Sequence, residues 1–526
     1  MVKIVERNAD GQRVFKEHPV KYTMYYPDAK GKYTSIYGDP LGKMVCKSTK
    51  DMRKEAAILG NRQLYESDIN PVFNHLSETY LNQDAPKLNI CFFDIETDFD
   101  QARGYSSPDD PFTAITAITV YLKWAKELIT LALPPKTLTL EQATELVKDI
   151  PNVHLFTNEG DMLATFLDLI EDADILSGWN SGGFDIPYTV NRVMRVLSKD
   201  DTRRFCLWNQ LPKKREYEKY GKTATTYDLI GRVHLDSLEL YQKYTYEERH
   251  SYSLDSIGEY ELDERKTQYE GTLDQLYNQD FYRFIVYNRQ DTALLDKLDE
   301  KLKFIDLTNA LAHENTVLLQ TTMGAVAVTD QAIINEAHRR GFQVPNRRHR
   351  DEEESTQAAG AYVAYPKEGL QDWVGSLDIN SLYPSAIRAL NMSNETIIGQ
   401  LRPIYTDAYI HEQMTLKKKS FAGAWEGMFG SIEYTAVMDN RIDKEIIIDW
   451  QDGRSDTLSA AEVNRLIFDS NQPWMLSANG TIFTYEKEGI IPGLLKRWYA
   501  ERKELQARLK RFNALDSGIT VPERLL

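Results

Sequence analysis

A chain of 526 residues, 42% hydrophobic and 27% charged, has the composition of an ordinary globular protein and is predicted to form about three or four domains. No stretch approaches the roughly 18–20 apolar residues of a membrane helix. The opening MVKIVERNADGQR has no apolar signal segment. The net charge of −16 argues against a protein coated in nucleic acid, although local basic patches still permit binding. Three distant cysteines, Cys46, Cys91 and Cys206, indicate neither a disulfide framework nor a zinc knuckle. A reducing cytoplasm is the expected location.

Residues 1 to about 85 read as short strand-like runs separated by turns such as NADG and DAKGK. Residues 87–97 follow as a strand, with a nearly continuous apolar run from Ile90 to Ile95 that predicts burial on both faces. Residues 160–176 have helical periodicity. The segment from Ile175 reads as a strand end, a Gly-rich loop and a helix, and residues 278–305 read as helix. This alternation predicts an α/β domain over 86–307. Residues 345–370 read as a connector. A second strand-to-helix unit is expected in WVGSLDINSLYPSAIRALNM, and residues 490–512 predict one basic helix with Pro492 in its first turn.

The candidate chemistry begins at CFFDIETDFD, residues 91–100. Residues i and i+2 of a strand share a face, so Asp94 and Glu96 project together at a strand end. Two dry carboxylates need partners, water or metal, and oxygen donors suit hard cations such as Mg²⁺ or Mn²⁺. A lone D-x-E also fits a solvated strand end. The sequence adds Asp185 in GWNSGGFDIPY, with Asn180 and Phe184 beside it. It then adds Tyr287 and Asp291, four apart on one helix face.

That order, D-x-E, then D, then Y-x-x-x-D, resembles the proofreading 3′→5′ exonuclease domain of DNA polymerases. The resemblance implies an RNase H-like domain in which Asp94, Glu96, Asp185 and Asp291 hold two Mg²⁺ or Mn²⁺ ions and Tyr287 orients the attacking water. It also implies that Asn180 and Phe184 contact DNA. SLDINSLYPSAIRALNMSNETIIG resembles motif A of family B DNA polymerases. There Asp378 and the backbone carbonyl of Ile379 would bind metal, and Ser381, Leu382 and Tyr383 would surround the nucleotide. HLDSLELYQKYTYEERHSYSLDSI and SANGTIFTYEKEGIIPGLLKRWYAERK are similar to segments of the polymerases of large tailed bacteriophages within this family. In the second of these, Arg502 matches a triphosphate-binding arginine and Lys503 lies beside it. The basic PKKREYEKYGKTATTYDLIGR resembles by position a hairpin that parts primer from template, and equally fits a solvated surface hairpin.

The resemblance covers residues 5 to about 512 and implies an α/β (α+β multidomain) protein. Its expected divisions are an N-terminal domain at 1–85 and 308–349, the exonuclease domain at 86–307, partial palm at 350–486 and partial fingers at 487–526. The family linker Y-x-G-G/A reads AAGAYV here, with Ala358 in place of the Tyr and with Gly360, a DNA contact by resemblance, and Ala361 kept. The family's K-x-x-x-N-S-x-Y-G and D-T-D-S motifs do not occur. One aspartate cannot replace the carboxylate pair of a two-metal transfer, so this chain alone is expected not to polymerise. Implied partners are primer–template DNA, single-stranded 3′ ends and dNTPs, with no membrane. A separate C-terminal polymerase polypeptide and a sliding clamp, whose usual tail is absent from the sequence, would complete the replicative assembly. Two other readings are a stand-alone DEDD exonuclease or RNase, and a non-catalytic nucleic-acid-binding module.

Overall fold

The computed structural model describes residues 1–8, 10–60, 62–219, 222–347 and 367–516. They form two units, residues 1–21 with 70–332, and residues 22–69 with 333–526. Both mix α and β structure.

In the first unit the apolar run becomes the strand Ile90–Thr97, third in a six-stranded sheet. The strand order is Val233–His234, Ile175–Ser177, Ile90–Thr97, Ile115–Leu122, Glu127–Ala132, Val153–Leu155. Ile175–Ser177 runs parallel to its neighbours Val233–His234 and Ile90–Thr97, the next two pairings are antiparallel, and the last is parallel. Helices cover both faces, which explains the unbroken apolar run. Cys91, Phe93 and Ile95 pack into the core that holds Met162, Phe166, Ile186 and Val190. Ile90 and Phe92 pack instead with Leu294, Leu295 and Leu298 of the helix Phe281–Leu302. By the strand's alternation, Asp94 and Glu96 share the face of Ile90 and Phe92, toward that helix. A register shift between Glu96 and Thr97 ends the regular ladder just past the second acid, a common place for a bulge beside a site.

The expected helix over 160–176 is shorter. It spans Glu159–Leu169, and Ile175–Ser177 is a strand. The turn between them is fixed electrostatically: Asp172 and Asp174 pair with Arg7, and Asp174 also pairs with Arg13, of the antiparallel hairpin Val2–Arg7/Arg13–His18. Residues 1–85 also contain two helices beyond the expected strands and turns. Ser48 caps Thr49–Leu59 by accepting from the Asp51 N–H, and Asn70 caps Pro71–Tyr80, with proline at the first helical position. The basic segment after Leu211 is an antiparallel hairpin, Lys213–Lys219 with Lys222–Asp228.

The second unit contains a four-stranded sheet, ordered Phe342–Gln343, Tyr33–Ser35, Pro40–Cys46, Tyr22–Pro27, and a five-stranded antiparallel sheet. The latter runs Ser455–Ser459, Glu445–Trp450, Ile397–Leu401, Thr481–Thr484, Trp474–Leu476, over a core that includes Val437, Ile448, Val463 and Ile482. The basic helix forms as expected and spans Ile490–Asp516. The strand expected at 373–379 does not form; those residues are irregular and exposed, and only the helix Leu382–Ala389 follows. An isolated extended segment leaves its backbone groups unpaired, and among the described residues no strand pairs with it. Most of the expected connector, with Ala358, Gly360 and Ala361, lies outside the described residues. All three cysteines are free and buried. Among the described residues, no helix is long and apolar enough to cross a membrane.

Candidate active site

Three elements of the first unit bring acids together. The strand Ile90–Thr97 supplies Asp94 and Glu96, and the helix Phe281–Leu302 supplies Asp291. One carboxylate oxygen of each lies within 4.8 Å of the others. Asp185 opens the helix Asp185–Val196, where the helix dipole favours a negative charge. Its Oδ1 accepts the backbone N–H of Ile95 at 3.2 Å, so the peptide between the two strand acids holds the fourth acid beside them.

The turn before Asp185 depends on close packing. A Cβ on Gly178 would sit 2.7 Å from the Phe93 carbonyl oxygen, so only glycine fits there. Asp236, which the motif reading missed, holds the rest of the turn. Its carboxylate accepts N–H groups from Asn180 at 3.0 Å, Gly182 at 2.9 Å and Leu238 at 2.9 Å. Asp236→Ala is expected to destabilise the chain by about 3 kcal/mol, since orphaned buried donors cost about 1–3 kcal/mol each. Urea unfolding checks this; a loss below about 0.5 kcal/mol would refute the bracing role.

The acids are charged at a cost. Burial, then the charges of Glu96, Asp291 and Asp185, push Asp94 well above the usual carboxylate range. Burial and Asp291 push Glu96 up to about 8. Burial pushes Asp185 up to about 7, against the pull of the Ile95 N–H. Asp291 is also raised by burial, although Lys266 opposes this.

Lys266 is a second residue the motifs did not reveal. Its ammonium forms an ion pair with Asp291 Oδ2 and lies 3.3 Å from the Tyr287 hydroxyl. Burial lowers its proton affinity, but Asp291 and Tyr287 outweigh this and hold it above the ordinary lysine value. Tyr287 packs edge-on against Tyr269, with ring centroids 5.3 Å apart. Burial and Asp291 raise the Tyr287 phenol, so it stays protonated at neutral pH.

One lysine against four acids leaves the cluster short of positive charge. Asp291 Oδ1 is buried and has no hydrogen-bond partner. An all-oxygen donor set with an orphaned carboxylate oxygen fits a hard divalent cation. Phe184 packs against Tyr188 at 5.2 Å just before Asp185, and Asn180 adopts a left-handed backbone, φ +57°.

The motif A residues are in the second unit. Asp378 and Ile379 lie in the exposed irregular segment. Ser381 precedes the helix Leu382–Ala389, and Tyr383 is 70% exposed. Arg502 and Lys503 lie on the helix Ile490–Asp516. Lys503 sits over the Tyr499 ring at 5.3 Å, as does Arg388 at 5.1 Å, so Tyr499 joins the two helices. Among the described residues Asp378 belongs to no group of three or more potential metal ligands.

Comparison with known proteins agrees with these motifs. Residues 50–257 match the model of the DNA polymerase family B exonuclease domain, and residues 316–518 match that of DNA polymerase family B. The chain is 28% identical to the DNA-directed DNA polymerase of Enterobacteria phage T4 over 430 residues, which is 76% of this chain and 46% of that protein. It is 27% identical to the DNA-directed DNA polymerase of Escherichia phage RB69 over 438 residues, covering 78% of this chain and 48% of that protein. It is 25% identical to the DNA polymerase delta catalytic subunit of Glycine max over 66% of this chain and 32% of that one. The chain spans about half the length of the phage relatives it matches. The two family matches together extend over more than half of its residues, and on this basis the chain belongs to the family B DNA polymerases and carries their exonuclease domain.

Proposed function

We propose that the first unit is a 3′→5′ editing exonuclease that hydrolyses the terminal phosphodiester of single-stranded or frayed DNA ends. The observation that carries this reading is the cluster of half-buried Asp94 with buried Glu96 and Asp291, with its orphaned Asp291 oxygen and with Asp185 tied to the same strand. The six-stranded mixed sheet supports an RNase H-like fold, and the division into N-terminal, exonuclease, palm and fingers portions is part of the same proposal. Asp94, Glu96, Asp185 and Asp291 would hold two Mg²⁺ or Mn²⁺ ions. Such ions supply Lewis-acid stabilisation of the attacking and leaving oxygens.

The chain's own groups do the remaining work. The protonated Tyr287 phenol orients a water for attack on phosphorus and does not take its proton. Lys266 fixes that phenol and Asp291 together. As the water oxygen bonds to phosphorus, the bond to the 3′ oxygen breaks; the water gives its proton to solvent, the 3′ oxygen takes one from solvent, and a nucleoside 5′-monophosphate leaves. Asn180 and Phe184, on the turn beside Asp185, would meet the terminal nucleotide, with Phe184 offering an apolar face for stacking. Gly360, proposed as a further DNA contact, lies outside the described residues.

In the second unit we assign Asp378 and the Ile379 carbonyl to metal binding. Ser381, Leu382, Tyr383, Arg502 and Lys503 are assigned to dNTP binding. Synthesis on primer–template DNA would need further carboxylates, from a separate polypeptide or a longer chain, and a sliding clamp would serve that assembly. The proposed setting is the cytoplasm of a bacterial host.

A 5′-labelled primer on a longer template, with Mg²⁺ and all four dNTPs, tests the proposal. The expected products are a ladder shortened one nucleotide at a time, faster from a mismatched 3′ end and absent in EDTA. Tight hairpin binding with no cleavage in Mg²⁺ would replace the exonuclease with a binding module. Extended products would overturn the expectation that these 526 residues do not polymerise alone.

A further inference from the structure

Behind Asp94 lies a chain of hydrogen bonds that the exonuclease reading does not use. Asp94, Thr119 and Thr130 are direct cross-strand neighbours, Asp94 opposite Thr119 and Thr119 opposite Thr130. They therefore form one row on one face of the sheet. The helix Phe281–Leu302 lies over that face and contributes Asn288 and Arg289. Arg289 Nη1 donates to Thr130 Oγ1 at 3.0 Å. The Thr130 and Thr119 hydroxyls are 2.9 Å apart. Thr119 Oγ1 donates to Asn288 Oδ1 at 2.5 Å, and Asn288 Nδ2 donates to Asp94 Oδ2 at 2.9 Å. Thr119, Thr130 and Asn288 are fully buried.

The two ends set the direction of the whole chain. A guanidinium only donates, and an ionised carboxylate, the form that binds a cation, only accepts. Thr130 therefore receives from Arg289 and gives its proton to Thr119, and Thr119 gives its own to the Asn288 carbonyl. The amide is left with its N–H groups toward Asp94. A flipped amide would set two acceptor oxygens 2.9 Å apart and would leave the Thr119 proton facing an N–H group.

Resting on the exonuclease reading, the geometry points to Thr130, Thr119 and Asn288 as positioning residues, a one-way hydrogen-bond chain from Arg289 that fixes the Asp94 carboxylate for a divalent cation. None of the three touches the cation or the reacting atoms. Each acts through the next, and the last acts through Asp94.

Thr119→Val tests this because it keeps the side chain's shape and removes only the hydroxyl, whereas Thr119→Ser keeps the hydroxyl. Mn²⁺ binding is read directly by electron paramagnetic resonance titration of the full chain, and half-activating Mg²⁺ is read in the cleavage assay. Thr119→Val is expected to weaken Mn²⁺ binding about tenfold and to raise half-activating Mg²⁺ by the same factor, while Thr119→Ser stays within about twofold. Equal effects of Val and Ser, or wild-type Mn²⁺ affinity in Thr119→Val, would overturn the proposal. Should Thr119→Val not fold, Arg289→Met cuts the chain at its partly exposed head. It is expected to weaken Mn²⁺ binding by about threefold or more, and unchanged affinity there also overturns the proposal. Asp94→Ala separates the two levels. If it binds Mn²⁺ as tightly as the wild type, the acid-cluster reading itself fails. If it loses Mn²⁺ while Thr119→Val does not, only the positioning chain fails.

Discussion

Asp94→Ala is expected to slow release of the 3′-terminal nucleotide about 10³–10⁴-fold, measured by single-turnover quench in saturating Mg²⁺. The magnitude follows from the site's charge. Metal stabilisation of the attacking and leaving oxygens is worth several kcal/mol, and each 1.36 kcal/mol is about a factor of ten in rate. Glu96, Asp291 and Asp185 all act on the Asp94 carboxylate. Alanine there removes one side of the cluster and leaves Asn288 Nδ2 only the residue-94 backbone carbonyl, at 3.5 Å, as acceptor. The rate loss does not come from unfolding. Four acids face one lysine, so removing an acid relieves repulsion, and the variant is expected to melt no lower than the wild type in EDTA. A variant that cleaves within about tenfold of the wild type would sink the two-metal assignment.

The acids themselves were legible because their chemistry depends on short spacings that secondary structure converts into faces. Asp94 and Glu96 share a face because strands repeat every two residues, and Tyr287 and Asp291 because helices bring i and i+4 together. The residues that complete the site carry no such spacing. Lys266 is 25 residues from Asp291, in a segment with no periodicity. Asp236 is 56 residues from Asn180, and Thr119 is 169 from Asn288. Each is a polar residue placed by tertiary packing, and local pattern cannot distinguish it from a solvated one. The strand expected before Asp378 failed for the opposite reason. WVGSLDI has strand character locally, but a strand exists only where a neighbour accepts its hydrogen bonds, and none of the described strands does so.

The same surplus of negative charge makes stability depend jointly on pH and on Mg²⁺. Glu96 titrates near its ordinary value of 4.5 when unfolded and at about 8 when folded. Asp185 shifts from 3.8 to about 7. An acid whose folded value is raised binds its proton more tightly in the native state. Its stabilising contribution is therefore complete below the unfolded value and is lost as pH rises through the folded value. In EDTA the melting temperature of the first unit's transition is expected to fall as pH rises from 5 to 8. A divalent cation binds the ionised acids, so saturating Mg²⁺ should raise melting by about 5 °C or more at pH 8 and by little at pH 5. Glu96→Gln should flatten the EDTA profile and shrink the Mg²⁺ increment, because an amide neither titrates nor binds the cation well. Equal Mg²⁺ increments at both pH values would mean that the cation stabilises the chain elsewhere. If they differ as expected, the acids are held together at a cost in stability that the bound cation offsets, and the instability of the empty site and the activity of the filled one have the same cause.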